Sequence, residues 1–142
     1  MKPEQFETIV DSISNKLDDI ARKVVETTHN EFINNFDSQS FDGKRWPEVE
    51  RNESSKGWKA KYSKYSGNPP LVETGNLKEA LRNSIKGTTW RDMRIELDND
   101  YAEFVNAGTK NIPARTFIGM TNTLEDKLKK IIEEEITNMF NQ

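Results

Sequence analysis

The sequence predicts an α+β fold: long N-terminal and C-terminal helices packed on a small antiparallel sheet, with a short central helix. Three observations predict it. Apolar residues recur every three or four positions near both ends of the chain. Residues 88–98 alternate between apolar and polar side chains, which is typical of a half-buried strand. Residues 37–70 show no periodicity and predict an extended loop or arm, within one domain that spans residues 1–142.

The first element is an amphipathic helix over residues 4–36. Pro3 favours a helix start. The apolar stripe of this helix alternates steps of four and three residues, through Phe6, Val10, Ile13, Leu17, Ile20 and Val24. At about 1.5 Å per residue the helix is roughly 50 Å long, which is too long for a compact domain of this size. We therefore expect either a break near Thr27–Thr28 or a projecting part. We interpret its first half as a core helix with a solvated acidic face.

The arm at residues 37–70 combines basic residues with aromatic rings. Residues 43–65 carry seven Lys or Arg against three Glu, a net charge of +4, whereas residues 1–42 carry four basic against nine acidic groups, a net charge of -5. These opposite charges suit contacts between neighbouring copies. The simplest interpretation is that Trp46 fills the core while the remainder is a solvated arm. As assembly surface we nevertheless predict Trp46, Trp58, Tyr62, Tyr65, Trp90, Lys44 and Arg45.

The central helix is predicted to begin within the stretch from Leu71 to Leu77 and to end near Gly87. Thr74 or Asn76 can cap it, because Asn76 and Glu79 have capping-box spacing. Its inward residues would be Leu77, Ala80, Leu81 and Ile85.

The strand at residues 88–98 comes next and is predicted to end in a turn at Asn99–Asp100. It would direct Met93, Ile95 and Leu97 to one face and Asp92, Arg94 and Glu96 to the other. Trp90 falls on the polar face, so we expect it to pack on an outer surface or against a partner.

The other elements are expected to pack against the stretch from Tyr101 to Gly119. In it, Arg115 is a cation flanked by small and apolar neighbours. An unpaired buried charge is very costly, so we predict that its guanidinium group bonds backbone carbonyls or a carboxylate such as Glu73 or Glu103. Recognition of a partner's acid is the alternative.

The last element is a second amphipathic helix over residues 121–140. Thr121 or Asn122 is its expected N-cap. Its apolar stripe comprises Leu124, Leu128, Ile131, Ile132, Ile136, Met139 and Phe140.

The sequence offers little to catalysis, so we predict a protein that is not an enzyme and needs no cofactor or metal. It has no cysteine, and its single histidine is His29. It has no glycine-rich phosphate loop and no nucleophile elbow. No apolar run approaches the roughly 20 residues that span a membrane. With no secretory signal pattern at its start, we expect the protein to be made and used in a cytoplasm.

Four landmarks in order carry a resemblance to a known family. They are Phe41-Asp-Gly-Lys-Arg-Trp-Pro47, Leu71-Val-Glu-Thr-Gly-Asn-Leu77, Tyr101-Ala-Glu-Phe-Val-Asn-Ala-Gly108 and Ile112-Pro-Ala-Arg-Thr-Phe-Ile-Gly119. Together they resemble the phage virion morphogenesis, or tail-completion, family. Members often carry His-Gln-Phe-Gly where this chain has residues 105–108, and Ile118 replaces the usual Leu. The motif residues are Thr74, Gly75, Leu77, Tyr101, Gly108, Pro113, Arg115, Phe117 and Gly119.

The resemblance implies a structural role in the virion of a tailed phage or prophage. Such subunits complete the tail and join it to the neck of the head, so the protein would be assembled in the host cytoplasm and reside at the neck. The sixfold tail implies a hexameric ring whose partners are a tail terminator or tail tube protein and a head-completion or neck protein. DNA contact is expected only inside the neck channel, and no membrane contact is expected.

Two other classes compete with this interpretation. A nucleic-acid-binding module could act through the basic aromatic segment at residues 43–65, by phosphate pairing and base stacking. A small toxin or regulator could pair through its long N-terminal helix.

Overall fold

The computed structural model describes residues 2–47, 76–99, 102–110 and 113–141. Over these residues it contains four helices and two antiparallel two-stranded sheets, which confirms the α+β class with long helices near both ends. The helices are α1 (Pro3–Ser38), α2 (Asn76–Arg82), α3 (Ala102–Ala107) and α4 (Asn122–Phe140). The strands are β1 (Ser40–Phe41), β2 (Lys44–Arg45), β3 (Ile85–Thr89) and β4 (Asp92–Ile95).

The chain divides into two compact units, each of which is built from separated segments. The first comprises Met1–Glu31, Ile85–Glu96 and Met120–Gln142. The second comprises Phe32–Ser84 and Leu97–Gly119.

In the first unit, α1 and α4 lie antiparallel. Lys23 Nζ lies 2.5 Å from Glu135 Oε1, and Lys127 Nζ lies 3.1 Å from Glu31 Oε2. The two ion pairs are eight residues apart on both helices, and residue numbers rise along α1 as they fall along α4. The pairs therefore fix the register of the two antiparallel helices. The buried side chains of this unit are Ile20, Ala21, Val25, His29, Leu124 and Leu128.

The N-terminus of α4 is capped as the sequence predicted. Thr121 Oγ1 accepts a hydrogen bond from the backbone N–H of Leu124 at 3.1 Å. This bond pairs one of the N–H groups that a helix start leaves without an intrahelical partner.

The helix α1 is continuous, so the first of the two expected alternatives, a break near Thr27–Thr28, does not occur. Its first half is not a core helix, because residues 2–13 are all exposed and burial begins at Ile20. The expectation for this half was wrong for a simple reason. A periodic apolar stripe shows that a helix has an apolar face, but it does not show that anything covers that face.

The hairpin β3–β4 replaces the single strand that the alternation predicted. Helix α2 ends at Arg82 rather than near Gly87, and Ile85 begins β3 instead of facing inward from a helix. The pairing is irregular between Ile85 and Gly87, and a Cβ at Gly87 would lie 2.4 Å from the backbone oxygen of Asp92. Only glycine fits this close approach without a shift, so Gly87 shapes the hairpin rather than ending a helix.

The alternation itself holds only in part along β4. Ile95 is half-buried, whereas Met93, expected on the same inner face, is 51% exposed. On the polar face, Arg94 hydrogen-bonds both Asp92 and Glu96, and these bonds raise the pKa of its guanidinium group above the usual value.

In the second unit, the end of α1 leads directly into a hairpin that the sequence reading missed. Asp42 and Gly43 have φ values of 51° and 79° and connect β1 to β2. Two positive φ values in a two-residue loop are typical of a type I′ turn, for which Asp-Gly is a favoured pair. The described part of the arm, residues 37–47, therefore contains the end of α1 and this hairpin. Residues 48–70 lie outside the described residues.

The short helices of the second unit supply its remaining core. Leu77 and Leu81 of α2 and Ala102 and Val105 of α3 are buried. The N–H of Ala102 donates to the oxygen of Asn99 at 3.3 Å, while Asp100, the second residue of the predicted turn, lies outside the described residues.

Candidate functional site

Three residues of the sequence landmarks, Trp46, Arg115 and Phe117, lie together in the second unit. The buried rings of Phe36, Trp46 and Phe117 form its centre, with Phe36 edge-on to both neighbours at centroid distances of 5.7 and 5.5 Å. Trp46 Nε1 donates a hydrogen bond to the oxygen of Thr116 at 2.7 Å, although the two residues are 70 positions apart. The Trp46 and Arg115–Phe117 landmarks are therefore in direct contact. We call these residues, together with Phe36, the motif cluster.

Arg115 is buried and binds backbone, as one version of the prediction stated. Its Nε donates to the oxygen of Pro47 at 3.0 Å, and its backbone N–H donates to the oxygen of Val105 at 2.8 Å. The guanidinium group thus ties the stretch after Trp46 to the stretch after α3. Glu73, one proposed carboxylate partner, lies outside the described residues.

Two glycines of the motif have specific steric roles. Gly108 has a φ of 78° directly after α3, a left-handed conformation that ends the helix at low cost only for glycine. A Cβ on Gly119 would lie 2.9 Å from Cζ of Phe41, so glycine lets the first and last landmarks approach each other closely.

The sequence reading missed Asn106, which organises the same region. Its Oδ1 accepts from the backbone N–H groups of Phe117 and Ile118 at 2.9 and 3.0 Å. Its Nδ2 donates to the oxygen of Ile118 at 3.1 Å, and its own backbone oxygen accepts from Thr116 Oγ1 at 2.9 Å. One side-chain amide thereby bonds three backbone groups of a segment that belongs to no helix or strand. The available signal was an Asn at the end of a short helix, a residue type that often bonds nearby backbone.

The other predicted motif residues are placed as follows. Leu77 is buried, and Pro113 is exposed. Thr74, Gly75, Tyr101 and the side chain of Asn76 lie outside the described residues.

Of the residues predicted to form an assembly surface, the structure describes Trp46, Lys44, Arg45 and Trp90. Trp46 is 7% exposed, which leaves little of its ring for a partner and agrees with the interpretation that it fills the core. Lys44 and Arg45 are exposed neighbours on β2. Trp58, Tyr62 and Tyr65 lie outside the described residues.

Trp90 belongs to the first unit, at the turn of the β3–β4 hairpin. It is 39% exposed, its backbone N–H donates to Asp18 Oδ1 at 3.1 Å, and its Nε1 donates to Ser14 Oγ at 3.3 Å. The guanidinium carbon of Arg91 lies 4.7 Å from the ring centroid. Trp90 thus attaches the hairpin to α1.

A surface that the sequence reading did not single out lies on the exposed half of α1. Phe6, Ile9, Val10 and Ile13 are 62%, 45%, 48% and 45% exposed, and they follow one another at helical spacing. We call these four residues the α1 stripe. Four large apolar side chains exposed together on one face are a candidate interaction surface.

Neither a group of metal ligands nor a membrane-spanning helix is found among the described residues. Among them, no three His, Cys, Asp or Glu side chains are grouped so that they could hold a metal ion. Within the same ranges, no helix combines the length and the apolar character needed to cross a membrane.

Comparison with known proteins adds no relative to this picture, because no protein-family model, no curated protein and no solved structure matches the chain.

Proposed function

We propose that this protein is a structural subunit of a tailed phage or prophage particle, which completes the tail and joins it to the neck of the head. The observation that supports the proposal is the motif cluster. Landmarks that resemble the tail-completion family lie far apart in sequence, yet Trp46 hydrogen-bonds Thr116 and Arg115 hydrogen-bonds Pro47. Direct contact between residues of one sequence signature is what a shared fold requires, and this contact is the support for the proposal.

The proposed subunit acts by binding rather than by catalysis, as one copy in a ring of six. Each copy in a closed ring uses two different surfaces. The partners would be a tail terminator or tail tube protein on one side and a head-completion or neck protein on the other. The subunit would be assembled in the host cytoplasm and reside in the neck of the virion.

The acidic and basic segments supply a basis for contacts between neighbours. Residues 1–42 carry a net charge of -5, from four basic and nine acidic groups, and the exposed pair Lys44 and Arg45 begins the segment of opposite sign. Contacts of this polar kind weaken as salt screens them. The free protein should therefore be monomeric or weakly associated and form the ring on a tail end.

Mass measurement in solution followed by imaging of the joined particle tests this role. We expect a small species in solution and six copies at the junction of head and tail. A dimer that persists at every concentration and salt, or a neck that lacks the protein, would argue against the proposal and favour a regulator that pairs through α1.

A nucleic-acid-binding function is the second candidate, supported by the exposure of both Lys44 and Arg45 on β2. Replacing both with serine should then lower DNA affinity and flatten its dependence on salt, because each cation that pairs with a phosphate releases counterions. Absence of DNA binding by the unaltered protein at physiological salt would remove this candidate.

A further inference from the structure

The α1 stripe continues an apolar face that is covered only further along the helix. Helix α4 packs antiparallel on α1, and the register of the Lys23–Glu135 and Glu31–Lys127 pairs places the end of α4, Phe140, beside Asp18. A shallow cleft lined by Lys16, Asp19, Ile20, Glu135, Asn138 and Met139 marks this end. The hairpin turn at Trp90 reaches α1 only as far as Ser14. Both covering elements therefore stop before the stripe begins.

We propose that a second copy of this chain covers the α1 stripe, with the two α1 helices antiparallel about a twofold axis between residues 9 and 10. The spacing of the stripe supports this occupant. Residues 6, 9, 10 and 13 form a pattern that is unchanged when it is read backwards. In an antiparallel pair Phe6 therefore lies opposite Ile13 of the other copy, and Ile9 lies opposite Val10. Every apolar residue of the stripe meets an apolar residue.

The charges of the same segment are compatible with antiparallel pairing and oppose the parallel alternative. Residues 3–15 contain three acidic groups and no basic group: Glu4, Glu7 and Asp11. In the antiparallel register these three lie level with Asn15, Ser12 and Thr8, which are uncharged. In a parallel register each acid would lie level with its own counterpart, and like charges in register are unfavourable.

Continuity with the packing inside the first unit also favours an antiparallel helix as the occupant. Helix α4 already runs antiparallel to α1 and contributes Leu124 and Leu128 to the core. A partner helix that runs in the same direction as α4 extends that packing along α1, beyond the point where α4 ends. At this end Phe140 is 77% exposed, and the first turn of the partner would lie near it.

The contact involves four apolar side chains of each copy, far fewer than the roughly 20–30 residues a side of a standard interface, so the pair is reversible. Interfaces below about 1,200 Å² belong to the weak and transient class. Such a pair dissociates on dilution and does not prevent the copies from entering a larger ring. The inference is independent of the proposed function, because it concerns the free protein and needs no phage component.

Sedimentation of the full-length protein over about 1 to 300 μM tests the pairing, a range that brackets weak association. We expect a monomer at the lower end and a dimer at the upper end. Val10→Asp places two carboxylates at the axis and should weaken dimerisation at least tenfold. The matched control is Phe104→Asp, which introduces the same charge at a 50% exposed site in the second unit and should leave dimerisation unchanged. Circular dichroism confirms that both variants fold, since both sites are exposed.

Site-specific cross-linking tests the orientation, because the chain has no cysteine of its own. Oxidation should link two copies of Val10→Cys, since this position lies at the axis. It should not link Ile13→Cys, which lies about seven residues, or roughly 10 Å along the helix, from its own counterpart. A monomer at all concentrations, a dimer that survives Val10→Asp, or equal cross-linking of both cysteine variants would overturn the proposal.

Discussion

Asn106 provides the sharpest test of how the motif cluster is held together. Its side chain makes three hydrogen bonds to the backbone of Phe117 and Ile118. Removing an acceptor from a buried N–H costs about 1–3 kcal/mol, and Asn106 is only half-buried, so each of the two donors is assigned the lower end of that range. The hydrogen bond to the Ile118 oxygen is lost as well. With this loss included, Asn106→Ala should lower the free energy of unfolding by about 3 kcal/mol.

Two further variants make the reasoning about Asn106 specific. Asn106→Asp keeps an oxygen for both N–H groups but loses the amide donor, so it should cost less than the alanine variant, about 1 kcal/mol. Asn83→Ala removes a single exposed hydrogen bond to Glu79 and should cost about 0.5 kcal/mol or less. Urea unfolding followed by circular dichroism measures all three, with an unchanged denaturant slope as the check on the folded state. If Asn106→Ala and Asn83→Ala lose the same small amount, the hydrogen bonds of Asn106 do not hold the cluster.

Two other substitutions test separate parts of the structure. Arg115→Ala should lower the free energy of unfolding by about 2 kcal/mol, because a buried side chain and its bond to the Pro47 oxygen are lost. An unchanged melting temperature together with failed assembly would instead assign Arg115 to partner recognition. Gly87→Ala should destabilise the hairpin by about 2 kcal/mol, because the added Cβ would meet the backbone of Asp92. In Gly43→Ala the added Cβ has no atom within 4 Å, so this variant should cost only the strain of its positive φ, about 1 kcal/mol. Equal melting temperatures for the two glycine variants would show that the close approach at Gly87 is unimportant.

The long helices were predictable because apolar periodicity is a local property of the sequence. Helix α4 and its Thr121 cap follow from spacing and cap chemistry alone. The hairpins were harder to predict. Strands β1 and β2 contain two residues each, which is too short for an alternation of apolar and polar residues to be recognised. Their available signal was Asp42-Gly43, which specifies a turn through backbone conformation and not through periodicity.

The motif cluster could be predicted only in part, because its contacts join distant segments. The cost of burying an unpaired charge predicted that Arg115 bonds either backbone carbonyls or a carboxylate, and the structure shows a backbone carbonyl. The partner, Pro47, did not follow, since nothing local to Arg115 indicates a residue 68 positions away. The exposure of the α1 stripe could not be predicted, because apolar spacing is the same whether or not another element covers the helix.

Deletion of the gene for this chain, in the tailed phage or prophage that we propose as its source, tests the central claim most directly. Electron microscopy of the resulting lysate should show filled heads and separate tails. Expression of the protein in trans should restore joined particles. Joined particles in normal yield without the protein would contradict a role in completing the tail and connecting it to the head.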